Sequence, residues 1–197
     1  MKNFPIPVHI LRASIPCCAI ADIRAVLNGV NVTWSKDERV LRVISTTGAL
    51  ASLFSCKIPT QESDSFELTI PLESIKLALA AKATKGLVAH LSLSDAGEYD
   101  IDARIKFIPC EGKFPDFRRI IPLTLSGETG EFDPELLVRA NKALREYYRS
   151  KKEVYTLTQN GREHAAMHNG ESDAIVIVAP ICPTIYDKRD KVYCGFN

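Results

Sequence analysis

His164 and His168 stand four residues apart, the spacing that on one helix face can hold a zinc ion. Here the pair lies between two Asn-Gly dipeptides, Asn160-Gly161 and Asn169-Gly170, in a run that reads as a strand with no third ligand nearby. Exposed strand histidines are the simpler reading, and no metal site is expected. Cys17 and Cys18, with His9 upstream, offer a thiol and an imidazole, the parts of a nucleophilic site. Nothing marks a third orienting group or an oxyanion loop beside them. The six cysteines (Cys17, Cys18, Cys56, Cys110, Cys182 and Cys194) include no C-x-x-C pair. Reduced, largely buried thiols are expected. No G-x-S-x-G, P-loop or G-x-G-x-x-G occurs. The acids of Tyr99-Asp100-Ile101-Asp102-Ala103 alternate with apolar residues, as on a solvent-facing strand. No enzyme and no cofactor are expected.

The remaining chemistry is cationic. At about 100° per residue, a helix opening at Pro134 gathers Leu136, Ala140, Ala143, Leu144 and Tyr147 on one arc. Arg139, Lys142, Arg145 and Arg149 gather on the opposite arc, diluted by Glu135 and Glu146. Lys151 and Lys152 follow. A second helix shows Lys76, Lys82 and Lys85 to water with Glu73 as its only acid, and a first adds Arg12. Such faces are often merely solvated; their functional use is contact with phosphates, which gives salt-dependent affinity without reading sequence. Aromatic residues do not interleave with the cations, which argues against single-strand stacking platforms.

The elements that carry these residues repeat one plan. Asp133 is a good N-cap, Pro134 fits the first helical position, and the helix is expected to run to Arg149. Three strands divided by the two Asn-Gly turns follow it, and a short strand over Gly130–Phe132 precedes it. The middle segment reads as a strand over 66–70, a helix over 71–83 and two further strands. In the last of these, Ile101, Ala103, Ile105 and Phe107 face one way. The first segment reads as a helix over 8–19, shortened or broken by Pro16, followed by strands. The fold class is therefore α+β, built of three β-α-β-β-β units with helices on one face of antiparallel sheets. Residues 1–125 read as one complete domain of two units plus a connector, 126–181 as a half domain, and 182–197 as a tail.

Of 197 residues, 46% are apolar and 25% charged, with 25 Lys+Arg against 24 Asp+Glu and a net charge of +1. That balance excludes wholesale disorder and places any nucleic-acid contact on local charge. No apolar run is long enough for a membrane span, and the first residues lack a signal peptide's features. A cytoplasmic protein with no membrane partner is expected.

The stretch Glu111-Gly112-Lys113-Phe114-Pro115-Asp116-Phe117-Arg118-Arg119-Ile120-Ile121-Pro122 closely resembles the segment leaving the central domain of the bacterial DNA polymerase III β sliding clamp. Three more stretches agree in order: Asp22-Ile23-Arg24 with Leu27-Asn28-Gly29, Leu41-Arg42 with Thr46 and Gly48, and Ala174-Ile175-Val176-Ile177-Val178-Ala179-Pro180. The resemblance spans roughly residues 4–181. It departs where the family's Asp-Gly-His-Arg-Leu run appears as Thr47-Gly48-Ala49-Leu50-Ala51, without the His and Arg.

The resemblance implies a ring-forming, non-enzymatic replication factor. In that family, helices line a central hole, their cations face duplex DNA, and partners dock a short Gln-, Leu- and Phe-rich peptide between the central and last domains. Arg12, Lys76, Lys82, Arg139, Lys142, Arg145 and Arg149 are then the DNA-contacting residues. Leu27, Thr46, Gly48, Pro122, Ile177 and Ala179 are the peptide-pocket residues. The implied partners are double-stranded DNA, a DNA polymerase or other bearer of the clamp-binding motif, and further copies of the chain: twelve units complete the family's ring, so three per chain would need four chains. The alternative is a clamp-fold interaction protein that binds clamp-recognition peptides, or a host clamp, as a decoy or modulator without encircling DNA.

Overall fold

The computed structural model describes residues 2–60, 64–81, 88–94, 97–150, 155–170 and 173–181. The first unit comprises β1 (Lys2–Pro7), α1 (Val8–Ser14), β2 (Gly29–Ser35), β3 (Val40–Thr46) and β4 (Leu50–Cys56). The second comprises β5 (Phe66–Pro71), α2 (Leu72–Ala81), β6 (Val88–Leu93), β7 (Tyr99–Ile101) and β8 (Ile105–Phe107). The third comprises α3 (Pro134–Tyr148), β9 (Thr156–Thr158), β10 (Ala165–His168) and β11 (Ala174–Val178). Lys82, Lys85, Lys151, Lys152 and the expected tail over 182–197 lie outside the described residues. Among those described, no helix is long and apolar enough to cross a membrane.

Local sequence explains the element ends. Pro16 cannot donate a backbone hydrogen bond, so α1 stops at Ser14 and tightens into a 3-10 turn over Ile15–Cys17. Asp133 caps α3 by accepting from the Glu135 N–H at 2.8 Å, with Pro134 at the first turn. Arg149 closes the helix in the left-handed region, at φ 53°.

Units one and two exchange their first strands. β1 crosses to pair with β6, giving the four-stranded sheet β1-β6-β7-β8; β5 crosses the other way to pair with β2. The seven-stranded sheet, β5-β2-β3-β4-β11-β10-β9, then continues through β4 into the third unit. Antiparallel pairing of β4 with β11 sets Leu50 opposite Val178 and Ala51 opposite Ile177.

Strand alternation sorts side chains to the two faces of this sheet. Val43, Leu50, Phe54, Val176 and Val178 point to the main core, which they share with Phe4, Trp34, Ile75, Ala143 and Leu144. Ile44, Ala51, Leu53 and Ile177 point the other way, into a smaller core closed by Phe114 of the connector, with Phe117, Ile120 and Ile121 packed against it.

Two strand expectations are corrected. Residues 99–107 form a hairpin rather than one strand. Asp102 and Ala103 both adopt positive φ, at 57° and 55°, and the Arg104 N–H returns to the Ile101 carbonyl at 3.2 Å. Asp100 accepts from the Ala103 N–H at 2.7 Å and Asp102 from the His90 N–H at 2.9 Å, which holds the turn. Ala103, expected inward, is exposed at its tip. Gly130–Phe132, expected as a strand, enters no ladder among the described residues. Its neighbourhood makes only isolated bonds, such as the Ile181 N–H to the Glu131 carbonyl at 2.7 Å.

A left-handed alanine carries a steric cost that glycine lacks. Ala103→Gly should therefore raise the unfolding free energy by about 0.5–1 kcal/mol in denaturant titration; a loss of stability would contradict this turn.

Candidate functional site

α1 and α3 pack side by side against one face of the seven-stranded sheet. Tyr147 stacks on Phe54 at 4.8 Å and meets the His9 ring edge-on at 5.6 Å. Burial, and secondarily the Arg149 cation, lower the His9 pKa, which keeps the imidazole neutral near neutral pH. Arg149 is exposed, and its guanidinium approaches His9 Nδ1 at 3.3 Å.

The expected DNA-contacting residues divide into groups. Lys142 and Arg145 are exposed, and no described ion pair or hydrogen bond uses them. Lys76 is exposed but pairs with Glu73 at 2.7 Å, and Arg12 is half-buried. Arg139 is turned inward: its Nε donates to the Pro16 carbonyl at 2.7 Å and its Nη2 to the Cys18 carbonyl at 3.0 Å. It fastens α3 to the end of α1. Lys82 lies outside the described residues.

A second site lies on the other face of the same sheet, over the β4–β11 seam. A pocket of about 150 Å³ is lined there by Leu27, Ile44, Thr46, Gly48, Leu50 and Ile177, with Pro115, Phe117 and Ile120 of the connector as its lid side. Arg24, Asp116 and His164 complete the rim.

Local hydrogen bonds shape each wall. Thr46 Oγ1 donates to the Leu50 carbonyl at 2.9 Å and accepts from the Gly48 N–H at 3.0 Å. Gly48 sits at φ 97°, a conformation that disfavours any side chain there. Asn28 and Asp22 exchange two bonds, at 2.9 and 2.7 Å, that fold the 22–28 loop around Leu27. Asp22 also takes the Arg24 guanidinium in a two-point pair at 3.0 and 2.9 Å. That hydrogen bonding holds the Asp22 carboxyl down to about 2.

Four of the six expected pocket residues, Leu27, Thr46, Gly48 and Ile177, line this cavity. Ala179 and Pro122 do not. Ala179 is at the edge, its N–H donating to the Ala49 carbonyl at 2.8 Å, and Pro122 is half-buried further along the connector. Sequence reasoning missed the connector wall; the apolar spacing of Phe114, Phe117, Ile120 and Ile121 is the signal that could have found it. It also missed His164.

The remaining candidate chemistry is inert. Burial pushes the Cys17 and Cys18 thiols up to about 12, so neither is a nucleophile near neutral pH. His168 Nδ1 accepts from the Gly170 N–H at 3.0 Å within its turn.

No protein-family model matches the chain. The beta sliding clamp of Pseudomonas putida is 29% identical over 133 residues, which is 64% of this chain and 32% of that protein. The chain thus matches about a third of the length of its relative. Among solved structures, a putative DNA polymerase III beta subunit of Eubacterium rectale superposes with a TM-score of 0.73 at 11% identity, covering 92% of this chain and 66% of that one. The beta subunit of Thermotoga maritima gives 0.72 at 14% identity, with the same coverage. The Helicobacter pylori beta clamp bound to a DNA ligase peptide gives 0.70 at 13%, covering 91% and 65%. The likeness establishes the clamp fold over about two thirds of the length of these neighbours.

The two Arg139 bonds join a charged donor to backbone carbonyls, an arrangement worth about 2 kcal/mol. Arg139→Ala should lower stability by that amount in denaturant titration; an unchanged midpoint would show that the contact holds nothing.

Proposed function

We propose that this clamp-fold chain is a non-catalytic accessory factor of DNA replication, acting as an oligomer around or along duplex DNA. The observation that carries the reading is the α1–α3 row. Lys142, Arg145 and Arg149 on α3 and Lys76 on α2 are exposed, and Arg12 on α1 is half-buried. The structural neighbours are DNA polymerase III beta subunits, which supports a role in replication. Cations on rigid helices suit backbone contact, since a phosphate needs charge and position rather than a base-specific partner. Glu135 and Glu146 on the same helix keep the contact weak, as sliding requires. Lys82 extends this set in sequence, and Arg139 acts behind it by positioning α3.

The seam pocket supplies the second half of the reading. It is small and apolar with a polar rim, the form of a site for a peptide's hydrophobic anchor. One structural neighbour is a beta clamp bound to a DNA ligase peptide, which supports peptide docking here through Leu27, Thr46, Gly48 and Ile177. Ala179 and Pro122 extend the site at its edges for a longer ligand. A polymerase or other motif-bearing protein is the partner class.

Fluorescence anisotropy of a labelled duplex over a salt series tests the DNA half. Wild type should show affinity that falls steeply with salt. Lys142→Glu with Arg149→Glu should weaken binding about tenfold or more and lower the salt slope by about 2. Equal affinity in the variant would refute this face. Absence of any salt-dependent binding would move the assignment to the decoy or modulator reading.

A further inference from the structure

Among the described residues, four polar side chains line the seam pocket: Arg24, Thr46, Asp116 and His164. Three are already engaged within the chain. Arg24 gives its Nε and Nη2 to Asp22, at 3.0 and 2.9 Å. The Thr46 hydroxyl donates to the Leu50 carbonyl and accepts from the Gly48 N–H. Asp116 accepts from the Arg118 N–H at 3.2 Å, and its other oxygen stands 3.9 Å from Arg119 Nε. His164 is the exception: it is half-buried, and no described hydrogen bond or ion pair uses its imidazole. The fold nevertheless holds it in place. Ahead of it, the buried Asn160 side chain accepts from the Ser126 N–H at 2.9 Å, and the Glu163 N–H closes the turn on the Asn160 carbonyl at 3.0 Å. Two residues on, Ala166 points into the smaller core, and alternation carries His164 to the same face.

A ligand seated in the pocket takes water away from this imidazole. A polar group buried without a partner weakens binding, so the ligand must supply one. An imidazole always has at least one N–H to donate, which calls for an acceptor. The surroundings favour an anionic acceptor. Arg118 is exposed and pairs with no described acid, and its guanidinium lies 5.6 Å from the ring centre of Phe117, a lining residue. Size limits the rest of the ligand: a cavity of about 150 Å³ has room for one six-membered ring. We propose that His164 sets the specificity of this pocket, receiving the side-chain carboxylate of an aspartate or glutamate that flanks a single ring-sized anchor in the docking peptide. The imidazole N–H donates to the carboxylate, and Arg118 adds attraction from the connector side. The proposal rests on the peptide reading of the seam pocket and names the ligand chemistry that the pocket selects.

Fluorescence anisotropy with two labelled decapeptides tests it on the full chain. Each carries one Phe, flanked on both sides by Asp in the first and by Asn in the second, with Gly and Ser elsewhere. The wild type should bind the Asp peptide about tenfold more tightly than the Asn peptide. His164→Ala should lose that preference and bind both about equally. His164→Gln, which keeps a donor, should retain part of it, and Arg118→Ala should narrow it about threefold. Thermal melting checks that the variants stay folded. Equal binding of the two peptides by the wild type would overturn the proposal and leave the pocket itself intact. A preference that survives His164→Ala would overturn the role of His164. Binding of a Gln-, Leu- and Phe-rich peptide but of neither decapeptide would overturn the proposal alone. Failure to bind any of the three would overturn the peptide reading and the proposal together.

Discussion

The pairing of β4 with β11 is the constraint on which the rest of this molecule depends. It joins strands more than a hundred residues apart in sequence and makes one sheet of two units. On one side it brings α1 and α3 together, so that cations from two units share a surface. On the other it sets Ala51 beside Ile177, and the connector has an apolar floor to fold onto. Both candidate interfaces are therefore products of one ladder. A register slip of one residue would turn Ile177 and Val178 to the wrong faces and spoil both cores together.

The seam is backed by polar anchors as well as by packing. Ser45 Oγ reaches the Ser14 carbonyl at 2.6 Å and lies 2.8 Å from Ser52 Oγ, which ties the end of α1 to β3 and β4 from inside the core. Tyr147 donates across the seam region to Asp173 at 2.9 Å, and that contact, after burial, raises its pKa. Arg139 adds its two bonds to the carbonyls at the end of α1. These side chains satisfy buried polar groups and fix the angle of the helix row. Charge on α3 is thus divided: one guanidinium builds the row, and Lys142, Arg145 and Arg149 stay exposed.

Much of this was legible in the chain, for local reasons. Asp133-Pro134 announces a helix start whatever surrounds it, and the Asn-Gly dipeptides announce turns because few other residues accept positive φ. The resemblance at the connector led to Leu27, Thr46, Gly48 and Ile177. What was not legible depends on tertiary placement. Alternation runs unbroken through Ile101, Ile105 and Phe107 because the three residues between the short strands preserve parity, so the hairpin is hidden. Helical periodicity assigns Arg139 to the polar arc, and only the position of the Pro16 and Cys18 carbonyls turns it inward. The apolar spacing of the connector marks it as a packing segment, but only the fold shows that it and His164 come to lie over the seam. Gly130–Phe132 looks like a strand because it is built as one, yet a strand needs an edge to join.

The peptide site proposed above lies over the β4–β11 seam. Its most direct test is a fluorescence titration of a Gln-, Leu- and Phe-rich clamp-recognition peptide against the wild-type chain and Gly48→Val. A valine at Gly48 is strained by the positive φ of 97°, and its Cβ would stand in ordinary contact with the Arg24 guanidinium, at 3.5 Å. The wild type should bind saturably and the variant about tenfold or more weakly, with duplex association unchanged. No binding by the wild type, or equal binding by both, would contradict it.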